Sequence, residues 1–187
     1  MIHPSARAMC LSWYTPLDKQ KVKLTVYDIV LFGVLGALTF AAKYVMSPLP
    51  NIEPVSLMVM LFAVVFGRKW VYPVYLYVAM EILFYGISLW NVYYLYIWAV
   101  LALAAYALRK MQHPLLWAVL SGGFGLLFGA LCGITDIFIG GFGYAAAKWV
   151  SGISFDLLHC GGNFVIALVM FKPLRTLLTK LYTRMRQ

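Results

Sequence analysis

Residues 26–46 read "VYDIVLFGVLGALTFAAKYVM", and whether this stretch is a helix in water or a helix in lipid decides the fold. Twenty-one residues rise about 31 Å as an α-helix, which matches the hydrocarbon core of a bilayer. The rest of the chain agrees with lipid: 64% of its 187 residues are hydrophobic, only 11% are charged, and the mean hydropathy is +0.85. Ordinary soluble domains are nearer half apolar with about a quarter of their residues charged, so a water-soluble fold could not hide this much apolar surface. The sequence predicts an all-α membrane protein. Five further apolar runs follow, near 55–66, 70–87, 92–108, 115–139 and 150–171, and together they predict a six-transmembrane-helix bundle. The second run is short. It starts after "PLPNIEP" and stops at "GRK", as expected of a tilted helix or one that begins in a re-entrant loop buried by its neighbours. Pro73 sits where a first-turn residue or a mild kink is tolerated.

Internal repeats, low-complexity tracts and linkers are absent from the sequence. The expected organisation is a cytoplasmic N-terminal tail over 1–23, one six-helix domain over 24–182, and a basic C-terminal tail over 183–187. The first 23 residues lack an apolar core followed by a small-residue cleavage site, so they read as a tail or a short surface helix and not as a secretory signal. The net charge is +9, but the basic residues come in short clusters between apolar runs. That is the pattern of cytoplasmic loops facing anionic lipid, and it argues against nucleic acid. With the N-terminus inside, Lys19, Lys21, Lys23, Arg68, Lys69, Arg109, Lys110, Lys172, Arg175, Lys180, Arg184 and Arg186 all fall on the cytoplasmic side. Only Lys43 and Lys148 fall toward the other, and an even helix count puts both termini in the cytoplasm. The connections at 48–54, 88–91 and 140–149 are then expected outside.

That topology gathers Lys43, Glu53, Glu81, Asp136 and Asp156 at one outer depth. A charge at the bilayer centre costs roughly 2.5–3.5 kcal/mol or more, so these groups are expected to face one another or a polar cavity. Lys43 paired with a carboxylate as structural glue is the plainer alternative. Residues 151–164, "SGISFDLLHCGGNF", place Gly152, Asp156, His159 and Asn163 at spacings of four, three and four, on one helical face with Cys160 beside them. Asp and His three apart can both reach a metal ion, but a second in-membrane histidine and a clear third ligand are missing. Cys160 and His159 are adjacent and project about 100° apart on a helix, a poor arrangement for a nucleophile and its base. The three cysteines are far apart without C-x-x-C spacing, which signals neither disulfide nor zinc and suggests small packed side chains. A phosphate-binding G-x-x-x-x-G-K-[ST] loop is also lacking, as are the serine-hydrolase and metalloprotease motifs, so the chain is not expected to hydrolyse ATP or to be an enzyme. The aromatic stretches "YPVYLY" (72–77) and "NVYYLYIW" (91–98), with Phe84, Tyr85 and Trp90, suit an interfacial belt. Part of them also suits stacking on a flat organic ligand, with Asn91 and Asn163 as directional hydrogen-bonding groups. Gly33, Ala37 and Ala41 form a small-x-x-x-small stripe that serves either internal packing or a partner helix.

Several of these features together resemble the substrate-binding S component of an energy-coupling factor (ECF) transporter. They are the basic tail, Ala37 and Ala41 in an A-x-x-x-A first helix, and "PNIEPVSL" leading into a short second helix that ends "FGRK". A glycine-rich fifth run before a long polar-faced sixth completes the set. The resemblance covers roughly 24–181. It implies a prokaryotic plasma-membrane protein that binds a small vitamin-like molecule at the outer face, with no cofactor of its own. Its implied partners are a transmembrane coupling subunit and two cytoplasmic ATPase subunits, which supply the ATP hydrolysis. On this chain it implies Gly33, Ala37 and Ala41 as the coupling-subunit face. The ligand-site candidates are Asn91 just before the fourth run with Tyr93, Tyr94 and Trp98 in it, Asp136 in the fifth, Trp149 in the connection after it, and Asp156, His159 and Asn163 in the sixth. The substrate itself carries no identifiable signature. The competing expectations are a small intramembrane enzyme acting on lipid or prenyl substrates, with Asp136, Asp156 and His159 as its polar centre, and a stand-alone facilitator.

Overall fold

The computed structural model describes residues 24–49 and 52–185; the tail expected at 1–23 and the last two residues of the C-terminal tail lie outside the described residues. Of the described structure 88% is helical and none is strand. Helix α1 (Val26–Met46) covers the same residues as the first apolar run, and it starts there because Thr25 and Asp28 form a capping box. Helix α2 (Val55–Phe66) is buried at every residue except Val64. Its 12 residues are enclosed by the neighbouring helices. Gly67, at φ 59°, ends it in a single 3-10 turn (Gly67–Trp70), from which α3 (Val71–Tyr85) leaves. Gly86, at φ 80°, ends α3, and Ser88 with Asn91 caps α4 (Leu89–Ala107). Helix α5 (Pro114–Leu126) opens with proline in its first turn, where the missing N–H costs nothing, and α6 (Phe128–Arg184) follows directly.

Helix α6 is not one rod. Gly141 takes φ 78° and ψ 176° inside it, and the chain doubles back there. Lys148 Nζ lies 2.8 Å from Asp136 Oδ1 although the two are 12 residues apart, a separation that would span about 18 Å along a straight helix. Gly129 N donates to Asp156 Oδ1 at 3.0 Å across 27 residues. The two arms therefore run antiparallel, with 129 opposite 156 and Gly122 opposite Cys160 and Phe164.

Four helical stretches are long and apolar enough to cross a membrane: Val26–Met46, Val55–Tyr85, Leu89–Ala107 and Pro114–Arg184. This corrects the expectation of six separated spans, because the breaks inside the second and fourth stretches are a four-residue 3-10 turn and one glycine and not loops. The loop expected at 140–149 is likewise helical on both sides of Gly141, since the Tyr144–Lys148 segment is made of good helix formers and one glycine alone makes the reversal. The 88–91 loop shrinks to residues 86–88. The fifth run is interrupted at Leu127 (φ −93°, ψ 0°), and the expected C-terminal tail is helical as far as Arg184.

Side-chain contacts define two ends of the molecule. At one, Asp28 pairs with Lys69 at 2.7 Å, Phe66 meets the rings of Phe32 and Tyr182, and Arg175 donates to the Met111 carbonyl. At the other, Lys43 pairs with Glu81 at 2.9 Å, and Lys148 and Tyr93 both reach Asp136. The first is the Lys69 end and the second the Lys43 end.

Candidate ligand-binding site

The Lys43 end is organised by α4, whose first turns carry three of the expected site residues inward. Tyr93 donates to Asp136 Oδ1 at 2.6 Å and Lys148 joins the same oxygen at 2.8 Å. Tyr94, its neighbour in sequence, accepts from Lys43 at 3.0 Å, and the Lys43 ammonium sits 4.8 Å from the Tyr94 ring centroid. The plainer expectation for Lys43, a pair with a carboxylate, is what the structure has. Glu53, in the connection before α2, lies within electrostatic reach of Lys43, and burial pushes its carboxyl above the usual carboxylate range. Asn91 is committed elsewhere: its side-chain oxygen accepts the Ser88 N–H at 2.6 Å and so caps α4.

One turn further along α4, Trp98 is fully buried and touches the rings of Tyr77, Tyr94, Phe124 and Phe128 at 5.4–6.2 Å. Phe128 in turn meets the imidazole of His159 edge-on at 4.9 Å. This aromatic cluster links α3 and α4 to the polar face of α6. On that face Asp156, His159 and Asn163 are 6%, 4% and 2% exposed, as the four-three-four spacing predicts. Their depth differs from the expectation. Asp156 lies opposite Gly129 and Asp136 lies seven residues nearer the hairpin tip, so Asp156 sits about 10 Å deeper than Asp136. Asn163 is two further turns down, donating to Ser56 Oγ at 3.0 Å and to the Ser121 carbonyl at 3.4 Å. The stripe runs down into the bundle and does not wall its outer rim.

Three glycines permit that approach. A Cβ on Gly125 would meet the His159 backbone at 2.8 Å, one on Gly122 the Cys160 carbonyl at 3.2 Å, and one on Gly129 the Asp156 carboxylate at 2.6 Å. The Trp149 indole also packs on Gly129 but is 41% exposed, so it stands at the margin of the site.

Trp98 Nε1 and His159 Nε2 within this cluster, and Ser121 Oγ and Asn163 Oδ1 beyond it along the polar face, are buried without a hydrogen-bond partner, whereas Tyr77 and Glu81 face each other and the Trp149 indole lies beside Asp156. Leaving one such group unsatisfied costs about 1–3 kcal/mol, and folded proteins leave few. Trp98 Nε1 and His159 Nε2 belong to one chain of ring contacts through Phe128, so both gaps fall in the same cluster. No group of three or more His, Cys, Asp or Glu among the described residues converges as a metal site would require. The contribution of Ser56, Ser121, Phe124, Phe128 and Lys148 was not expected from sequence, whereas Glu81 was expected at a polar cavity and Tyr77 lies in an aromatic stretch expected to offer rings. Of the unexpected residues only Lys148 carried a signal, as a charge beside an apolar run.

The small-residue stripe of α1 lies apart from all of this. A Cβ on Gly33 would meet nothing within 4 Å, Ala37 is half-buried and Ala41 exposed. The small residue that internal packing uses is Gly36, where a Cβ would meet Leu76 at 2.9 Å and the Pro73 carbonyl at 3.1 Å. Cys132 is buried and Cys160 half-buried, both as free thiols; Cys10 lies outside the described residues. The exposed Phe84, Tyr85 and Trp90 suit an interfacial belt.

No known protein family, curated protein or solved structure matches this chain.

Proposed function

We propose that this chain is the substrate-binding S component of an ECF-type importer, capturing a small ring-bearing, vitamin-like molecule at the outer face. A transmembrane coupling subunit and two cytoplasmic ATPases then drive its delivery inward. The observation that carries the reading is the aromatic cluster of Trp98, Tyr94, Tyr77 and Phe128 against the buried polar face of α6, in which Trp98 Nε1 and His159 Nε2 have no hydrogen-bond partner. Aromatic walls with a few convergent polar groups are what a small-molecule site requires.

The same reading has the chain cross the membrane six times, with the reversals at Gly67–Trp70 and Gly141 dividing two of the four apolar stretches. Arg68, Lys69, Arg109, Lys110 and the basic end of α6 would then face the cytoplasm together with both termini. The open α1 stripe of Gly33, Ala37 and Ala41 would accept the coupling subunit, since small residues let a second helix approach closely.

Reconstitution tests this. The chain alone in liposomes should bind ligand without sustained uptake, and adding the coupling subunit and ATPases with ATP should start uptake. Turnover down a gradient by the chain alone would favour a facilitator instead.

A further inference from the structure

We infer that the groove between α4 and α5 holds one anionic phospholipid, with an acyl chain lying along the groove and the phosphate at the 108–113 connection. Only the membrane setting of the chain is needed for this, whatever molecule the Trp98 cluster takes.

Small residues make the groove. Helix α5 packs along α6 and not along α4. The gap left between α4 and α5 is about 340 Å³, walled by Val100, Leu101 and Ala104 on one side and by Val119, Gly123 and Leu127 on the other. A Cβ on Gly123 would meet nothing within 4 Å. Val100, Val119 and Leu127 are exposed, so the groove opens on the outer surface of the bundle, toward lipid. From Val119 to Leu127 the chain rises about 12 Å, and every side chain along the walls is apolar. A long slot of this kind suits an alkyl chain, whereas a polar ligand would find no hydrogen-bond partner in it.

Charge sets the headgroup. The connection that joins α4 to α5 closes the end of the groove nearest Lys69, and it reads "LRKMQH" (108–113). Its backbone is pinned: the Met111 carbonyl accepts the Trp117 indole N–H at 3.2 Å and Arg175 at 3.1 Å, and the Met111 N–H donates to the Leu108 carbonyl at 2.8 Å. Arg109 lies five residues beyond Ala104, about 7–8 Å along the axis, and its guanidinium sits 4.0 Å from the Tyr106 ring centroid. Arg175 reaches the Arg109 carbonyl at 3.5 Å, so two guanidinium groups and the Lys110 ammonium stand just past the mouth of the groove. His113 Nδ1 accepts the Leu115 N–H, which leaves the ring proton on Nε2 for donation. Among the described residues Asp28 is the one carboxylate at this end, and it pairs with Lys69. Guanidinium and ammonium groups recognise phosphate through charge-assisted hydrogen bonds. A choline headgroup would bring a further cation to a place whose one carboxylate is already taken.

The purified full chain in detergent is offered equal amounts of phosphatidylglycerol and phosphatidylcholine with identical acyl chains, and retained lipid is read by native mass spectrometry. One phosphatidylglycerol per chain should be retained, with a preference of about tenfold or more over phosphatidylcholine. Gly123→Leu should fill the groove and abolish retention of both lipids; Val119→Trp blocks the same groove should Gly123→Leu not fold. Arg109→Gln combined with Lys110→Gln should keep one bound lipid and lose the preference. Glycerol 3-phosphate, which carries the phosphate without the chains, should not displace the lipid. Equal retention of the two lipids by the wild type, a preference that survives blocking of the groove, or displacement by glycerol 3-phosphate would overturn the inference. A lipid-free dimer that Gly123→Leu dissociates would overturn it too, assigning the groove to a second copy of the chain.

Discussion

Asp156 accepts the Gly129 N–H with the Trp149 indole beside it, and Asn163 bonds through its nitrogen while its oxygen has no partner. Removing one side of a buried polar contact costs about 1–3 kcal/mol, or roughly ten- to a hundredfold in affinity. Asp156→Asn and Asn163→Leu are each expected to weaken binding of the co-purifying ligand by that order in titration calorimetry without unfolding the bundle. Val169→Leu, on an exposed face, should change nothing, and wild-type affinity in both variants would mean that the stripe only packs helices. Glu53 gives a pH prediction. Burial raises its carboxyl above the ordinary 4.5, so the folded chain holds that proton more tightly than the unfolded chain. Stability should therefore be greatest below about 4.5 for this group and fall as pH rises through the raised value. Thermal unfolding at a series of pH values should show a shallower decline in Glu53→Gln, and an unchanged slope would contradict the assignment. The polar face of α6 was legible in the sequence because its residues lie on one helix, where spacing alone decides which side they share. Asp136 with Lys148, and Asp156 with Gly129, were not, since each pair depends on the register of a hairpin whose turn is one glycine. The cap that Asn91 makes on α4 was not read from the sequence, because a residue three positions into a helix can serve its cap as readily as a ligand.

Helix α1 separates two uses of small residues that its sequence leaves indistinguishable. Gly36 is pressed against Leu76 and the Pro73 carbonyl, whereas Gly33 faces open space. Gly36→Ala should lower thermal stability by about 1–3 kcal/mol through overpacking, while Gly33→Ala should leave it unchanged or slightly raised. Ala37→Leu should keep the fold and ligand binding but abolish ATP-driven uptake. Retained uptake would mean that this face meets no coupling subunit. Gly125→Ala is expected to part α5 from α6, because the new Cβ meets the His159 backbone and not a flexible side-chain end. The ends of α1 could be read from sequence because an apolar run and a capping pair coincide at Thr25 and Asp28. The 140–149 segment could not. Its glycines and lysine suggest a loop to any reading by composition, but helix propensity and the Lys148–Asp136 pair keep it wound to the turn.

Across the whole molecule, four of the five described carboxylates lie toward the Lys43 end with Lys43 and Lys148, and Asp28 alone pairs with Lys69 at the end where Arg109 and Arg175 gather. If the Lys69 end is cytoplasmic, single cysteines placed at 51 and 146 should react with an impermeant reagent on intact cells and one at 68 should not. Protection at both outer positions would reverse the orientation or remove it. Apolar length and basic clusters make this division visible in the sequence, while the convergence of Tyr77, Trp98, Phe128 and His159 depends on tertiary packing that no local pattern encodes. The central claim is that the orphaned polar atoms around Trp98 hold a small organic molecule. Mass spectrometry of material co-purified from rich medium with the wild-type chain and with Asp156→Asn tests it most directly. The account predicts a ring-bearing compound retained by the wild type and depleted in the variant; no retained compound, or equal retention by both, would contradict it.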